Sequence, residues 1–167
     1  WDFDNDGTDD ATGNPVTYVC GPAQTYITKL TCVSDKGCSA FSQKVTTVYP
    51  NPTAAFSTSN ACVNATATFT NASTITNLDF YLWNFGDGNS NATSGNATHA
   101  YTLAGTFPVD LIAVSMEGCR DTATSSITIN PLPMVSITPS GSIVFCSGSN
   151  VMLDAGSGLT SYLWSNS

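Results

Sequence analysis

Residues Thr66-Ala67-Thr68-Phe69-Thr70 alternate polar and apolar positions and are rich in β-branched side chains, the signature of a half-buried strand. Further on, Tyr81, Trp83 and Phe85 fall on one face of a second strand, with Leu82 and Asn84 on the other. The stretch Thr106 to Val114 predicts a longer strand that turns Phe107, Val109, Leu111 and Ala113 to one side. Ser125 to Ile129 predicts the strand that closes this part of the chain. Between the last two, Met116-Glu117-Gly118 reads as a hairpin turn, with Gly118 free to take a positive φ. Apolar residues nowhere recur at helical spacing between caps. Short strands separated by frequent turn signals predict an all-β sandwich rather than βαβ units.

The same pattern occurs more than once. The three tryptophans, Trp1, Trp83 and Trp164, are spaced 82 and 81 residues apart. Pro50 and Pro52 return as Pro131 and Pro133, and Tyr81-Leu82-Trp83 returns as Tyr162-Leu163-Trp164. Lys36-Gly37-Cys38 has its counterpart in Glu117-Gly118-Cys119. A shared frame for Trp, Pro, Gly and Cys implies a tandem array with a period near 81 residues. In this frame residues 50–130 form one whole module. Residues 1–49 are the C-terminal part of a preceding module, and residues 131–167 are the N-terminal part of a following one. Neither partial module has enough chain for a full core. The expectation is a window on a longer array; the alternative is completion of the partial modules by neighbouring chains.

Within the middle module the residues carry a resemblance. Trp83-Asn84-Phe85-Gly86-Asp87-Gly88 is similar to the W-x-F-G-D-G signature of the PKD (polycystic kidney disease) domain. His99-Ala100-Tyr101, followed by Gly105-Thr106-Phe107-Pro108-Val109, resembles that family's H-x-Y-x-x-x-G-x-Y-x-V segment, with Phe107 in place of the usual Tyr. The first module departs from the pattern: Asp4-Asn5-Asp6-Gly7 is one residue too long, and no His precedes Tyr18. The resemblance implies tandem immunoglobulin-like β-sandwiches, one complete and two partial, used as extracellular spacers or interaction modules. The Cys-containing, Pro-x-Pro-linked form resembles PKD-repeat adhesins exported to the bacterial surface by type IX secretion systems. In that family pattern His99 packs and hydrogen-bonds inside the sandwich.

Composition narrows the function. Of 167 residues, 4 are Lys or Arg and 12 are Asp or Glu, for a net charge of −8. Such a field repels phosphate backbones and anionic lipid, so a nucleic-acid partner is not expected. No apolar run reaches the length of a membrane span. One His and one Glu leave little material for acid–base chemistry, and no nucleophile sits in a recognisable constellation, so the chain is not expected to be an enzyme.

Six cysteines, without a C-x-x-C pair, point to an oxidising, extracytoplasmic location rather than to zinc. In a sandwich Cys62 and Cys119 can lie at the same end; a bridge between them would close about 57 residues and contribute about 4 kcal/mol in the chain-entropy model. Cys20 and Cys32 are a second candidate pair. The alternative for both is free buried thiols.

The run Asp2-x-Asp4-x-Asp6-Gly7-x-Asp9-Asp10 concentrates five carboxylates in nine residues. Ca²⁺ takes six to eight hard oxygen ligands, and D-x-D-x-D-G is the opening half of an EF-hand-type loop, although Gly13 stands where its closing Glu would fall. Asp2, Asp4, Asp6 and Asp9 are the candidate calcium ligands; the competing reading is a solvated acidic turn. Asp87, alone in the equivalent loop of the middle module, is expected to cap its own turn. Trp83 is expected in the core rather than as a sugar platform. Asn64, Asn71, Asn91 and Asn96 head N-glycosylation sequons in form. Asp121-Thr122-Ala123 resembles the Asp-Ser/Thr-apolar O-glycosylation motif of type IX-exporting bacteria, which makes Thr122 a candidate modification site.

These features predict a spacer, stalk or filament segment at the bacterial cell surface, partnered by neighbouring modules of the same chain or adjacent filament subunits. The alternative is a glycan- or protein-binding adhesin module acting through the loops at one end of the sandwich.

Overall fold

The computed structural model describes residues 1–144 and 146–165. Phe145, Asn166 and Ser167 lie outside the described residues, and with the last two lies the end of the 131–167 segment. No helix forms among the described residues. An antiparallel hairpin comes first, β1 (Thr25–Val33) paired to β2 (Ser39–Thr47). The central strands follow: β3 (Phe56–Thr58), β4 (Ala61–Cys62), β5 (Thr66–Asn71), β6 (Leu78–Asn84), β7 (Ser90–Thr93), β8 (Ala97–Ala100), β9 (Gly105–Ser115) and β10 (Arg120–Asn130). A short pair, β11 (Thr138–Pro139) and β12 (Leu153–Asp154), comes last.

The central strands make a β-sandwich. One sheet has the order β4-β10-β9-β6-β7 and the other β3-β5-β8. Alternation decides which side chains meet between them. Ala67 and Phe69 of β5 face Tyr81 and Trp83 of β6, Val109, Leu111 and Ala113 of β9, and Ile127 and Ile129 of β10. Trp83 is fully buried at the centre. Phe56 meets it edge-on with ring centroids 5.2 Å apart, and Phe69 lies 5.7 Å away. Its indole N–H donates to the Gly95 carbonyl at 3.3 Å, so the ring is buried without stranding its polar atom.

The predicted strands at 66–70, 81–85 and 106–114 correspond to β5, β6 and β9. The closing strand starts earlier than its apolar pattern suggests, at Arg120 rather than Ser125. Thr122, Thr124 and Ser125 have no apolar alternation of their own, but β9 provides a ladder that runs unbroken from Arg120↔Val114 to Ile129↔Gly105. Edge strands β7 and β8 are likewise paired by their neighbours rather than marked by their composition.

The 81-residue repeat has a geometric counterpart. In the β1–β2 turn, Ser34 N–H donates to the Cys38 carbonyl, Gly37 N–H to the Ser34 carbonyl, and Cys38 N–H to Ser34 Oγ. The β9–β10 turn has the same three bonds at Ser115, Gly118 and Cys119. Gly37 and Gly118 take φ of 79° and 84°. Trp1 donates its indole N–H to Gly13, twelve residues on, as Trp83 does to Gly95. Asp2 bridges Lys29 as Asn84 pairs with Asp110. The hairpin with residues 1–13 therefore repeats part of the β6–β7–β9–β10 sheet. The facing sheet has no counterpart there, and β2 is exposed along its length.

Candidate functional site

Three places gather functional side chains: the acidic loop and the turn after Trp83, both expected from the sequence, and an aromatic cleft on the β1–β2 hairpin, which the sequence did not signal.

The acidic loop brings Asp2, Asp4 and Asp10 together, with one carboxylate oxygen of each within 4.8 Å of the others. The converging carboxylates are not the same four as the expected calcium ligands. Asp10 joins the group, while Asp6 and Asp9 do not. Asp6 instead accepts the Thr8 amide at 2.7 Å, and Asp9 lies 3.9 Å from the amino nitrogen of Trp1. Asp10 is drawn in because its Oδ2 accepts the Phe3 amide at 2.7 Å and its own amide donates to the Trp1 carbonyl. No periodicity in the sequence signals that fold-back. Asp2 is 4% exposed.

In the turn after Trp83, Asp87 caps the chain as expected, accepting the Asn89 amide at 3.0 Å. It also reaches His99 of β8, whose Nε2 lies 2.7 Å from Asp87 Oδ2. Burial alone would raise the Asp87 carboxyl, but hydrogen bonds from His99 and Asn89 outweigh it and hold the group below its ordinary value of 3.8. The His99 ring stacks on Phe85 at 4.3 Å and meets Tyr101 edge-on at 4.6 Å. Tyr101 is buried, its hydroxyl donates to the Phe85 carbonyl at 3.0 Å, and burial raises its pKa to about 12. Asp87 to His99 and Tyr101 to the Phe85 carbonyl each tie one part of the sandwich to another, so the arrangement is a clamp. The Asp87–His99 pair was not anticipated from the sequence; the twelve-residue separation of the two gives no local signal.

The hairpin carries an open cleft of about 410 Å³, lined by Trp1, Phe3, Tyr18, Tyr26 and Leu30 among others. Phe3 stacks on Tyr18 at 4.0 Å.

All six cysteines are free. The expected Cys62–Cys119 bridge is incompatible with the strand register. Cys62 pairs beside Asn130 at one end of β10, whereas Cys119 precedes Arg120 at the other. Ten residues of strand separate those ends, about 33 Å, against the ~6 Å between Cα atoms that a disulfide needs. Cys20 lines the aromatic cleft, and Cys32 belongs to a separate hollow with Thr12, Gly13 and Asn14. Thr122 is exposed on β10, opposite Ile112, next to an Asp121 whose carboxylate accepts the Ala54 amide at 2.8 Å. Asn71 ends β5, its Oδ1 accepting the Ser73 amide at 2.9 Å, and Asn96, just before β8, accepts the Asn71 amide on its Oδ1 at 2.9 Å.

The sequence model described as "PKD domain" matches residues 47–130, half of the chain. The chain belongs to the PKD domain family. The matched span contains β3 to β10, so the sandwich is the PKD module. Collagenase ColA of Bacillus cereus is 38% identical over 56 residues, which are 34% of this chain and 6% of the collagenase. Among solved structures, the PKD1 domain of the Vibrio cholerae metalloprotease PrtV is 28% identical with a TM-score of 0.44, covering 48% of this chain and 99% of that domain. The PKD1 domain of Vibrio anguillarum Epp is 24% identical with a TM-score of 0.45, covering 50% of this chain and 98% of that domain. A structure of carbohydrate-binding modules from the β-sandwich superfamily is 26% identical with a TM-score of 0.47, covering 49% of this chain and 35% of that one. In the PKD module, the Trp83-to-Gly88 motif and the His99-to-Tyr101 motif are the two halves of the Asp87–His99 clamp. No helix of the described residues is long and apolar enough to cross a membrane.

Proposed function

We propose that this chain is a stretch of an extracellular repeat array, a spacer that holds an adhesive or other tip away from a bacterial cell surface. It has no catalytic role in this reading, and its partners are neighbouring modules. PKD family membership supports a modular role. The observation that carries the spacer reading is the joint between the hairpin and the PKD module. Pro52 is buried. Thr53 exchanges two 2.9 Å backbone bonds with Thr74, the Ala54 amide donates to Asp121 Oδ2, and the Ala55 amide donates to Ser73 Oγ at 3.0 Å. On the other side Val48 N–H donates to the Gln24 carbonyl at 2.8 Å. Only Tyr49, Pro50 and Asn51 are left between the two anchored segments, and Pro50 has a fixed φ. A joint this short limits bending.

Small-angle scattering on the chain tests the reading. Pro50→Gly frees the one fixed φ of the joint and is expected to broaden the distance distribution while shifting the stability of the module by no more than about 1 kcal/mol. A wild-type profile as broad as that of a freely jointed pair would overturn it. Thr122 is accessible to an O-linked glycan in this setting, and intact-mass measurement of the native protein reads its presence.

A second reading, a glycan- or protein-binding module, is favoured by the aromatic cleft around Trp1, Phe3, Tyr18 and Tyr26, because aromatic faces with open access suit sugar rings and apolar side chains alike.

A further inference from the structure

We propose that Asp2, Asp4 and Asp10 form a binding site for a hard divalent cation, calcium by its donor chemistry, which fastens the 1–13 loop to the β1–β2 hairpin. The argument rests on how the three carboxylates are satisfied. Each has one oxygen held by a backbone amide: Asp2 Oδ2 by Gly7 at 3.1 Å, Asp4 Oδ1 by Asp6 at 3.2 Å, and Asp10 Oδ2 by Phe3 at 2.7 Å. Each therefore has a second oxygen to spare. For Asp2 that oxygen is buried: Oδ1 is shut off from solvent and has no hydrogen-bond partner among the described residues. A buried carboxylate oxygen without a partner is costly, and its presence beside two further carboxylates needs a positive counterpart.

No side chain provides one. Among the described residues no Lys or Arg pairs with these carboxylates. Lys29, whose backbone bridges Asp2, directs its ammonium over the Phe41 ring, 5.4 Å from the centroid. Nor does the backbone need the charges. At the equivalent place in the PKD module, Asn84 and Gly86 stand where this loop has Asp2 and Asp4, and the strand pairing and indole bond are the same. The acidic residues are thus a local addition to a turn that forms without them. Three clustered carboxylate oxygens, with carbonyls and water to complete the shell, suit the flexible oxygen coordination of Ca²⁺. Asp2 also ties into β1 through its bonds with Lys29, so an ion here joins loop and hairpin.

The test is calorimetric titration of the 167-residue chain with CaCl2, with thermal melts in calcium and in chelator. One saturable site is expected, with affinity in the range of extracellular modules, about 0.1–1 mM. Asp10→Asn and the exposed Asp4→Asn should each weaken binding at least about tenfold, and Asp9→Asn less than about threefold. Asp2→Asn should melt no lower than wild type in chelator, where it removes a buried charge, and lower than wild type in calcium. Absence of saturable binding by wild type up to about 10 mM CaCl2 would overturn the proposal, as would equal losses from Asp9→Asn and Asp10→Asn.

Discussion

Gly86 has φ +76°, and a Cβ there would overlap the Pro108 carbonyl oxygen. Both the backbone conformation and the close approach of β9 demand glycine. Gly86→Ala is expected to destabilise the PKD module by about 3 kcal/mol or more, measured as a shift in denaturant midpoint with an unchanged slope. Gly88, at φ +94°, has open space around it, so the same substitution there is limited to backbone strain. The motif shows that two glycines are wanted; only the packing shows that one of them faces a neighbouring strand. The acidic loop gives the same lesson at the scale of single side chains. Five carboxylates in nine residues announce candidate cation chemistry. Which oxygens converge depends on Asp10 folding back to the Phe3 amide, a contact across seven residues.

At the scale of elements, the Asp87–His99 pair links the turn between β6 and β7 to β8, and so one sheet to the other. The carboxyl's folded pKa lies below its ordinary value. Its contribution to stability is therefore complete above about pH 4 and is lost as pH falls through the depressed pKa. Tyr101 acts at the other limit. With its pKa raised to about 12, its contribution is complete below about pH 10 and is lost as pH rises from there through that value. Stability measured against pH should show both limbs, and Asp87→Asn should flatten the acid one. An acid limb unchanged by Asp87→Asn would mean that other carboxylates dominate it. Strands with clear apolar alternation, β5, β6 and β9, could be read directly from the chain. Strands β7 and β8 could not, because Ser, Asn, Ala and Thr serve equally in turns; the ladders to β6 and β5 make them strands.

Across the whole molecule, order is concentrated in the PKD module. Strands β9 and β10 share a ten-pair ladder with fully buried Val109, Leu111, Ile127 and Ile129. Residues 131–144 and 146–165 have one two-pair ladder, and Met134, Val144 and Leu163 are almost fully exposed. Amide hydrogen exchange on this chain should protect β9 and β10 most and the segment after Pro131 least. Equal protection of β11–β12 and β9–β10 would show that the last segment has a core of its own. The β1–β2 hairpin should fall between them, since Phe3 and Tyr26 are buried but the sheet has an open face.

Local pattern by itself determined the β class, the PKD motif, the 81-residue period and the central place of Trp83. The period follows from like residues recurring in one frame, and the others from alternation and residue identity at short range, where neighbours in sequence are neighbours in space. Tertiary structure alone decided the pairings: Asp10 with Asp2 and Asp4, Asp87 with His99, Ala54 with Asp121. It also separated Cys62 from Cys119. The register of β4, paired at the Ile129–Asn130 end of β10, puts Cys62 beside Asn130, and no count of residues between cysteines contains that register. Long-range contacts depend on register and strand order, and these are set by the joint packing of all the strands rather than by any one of them.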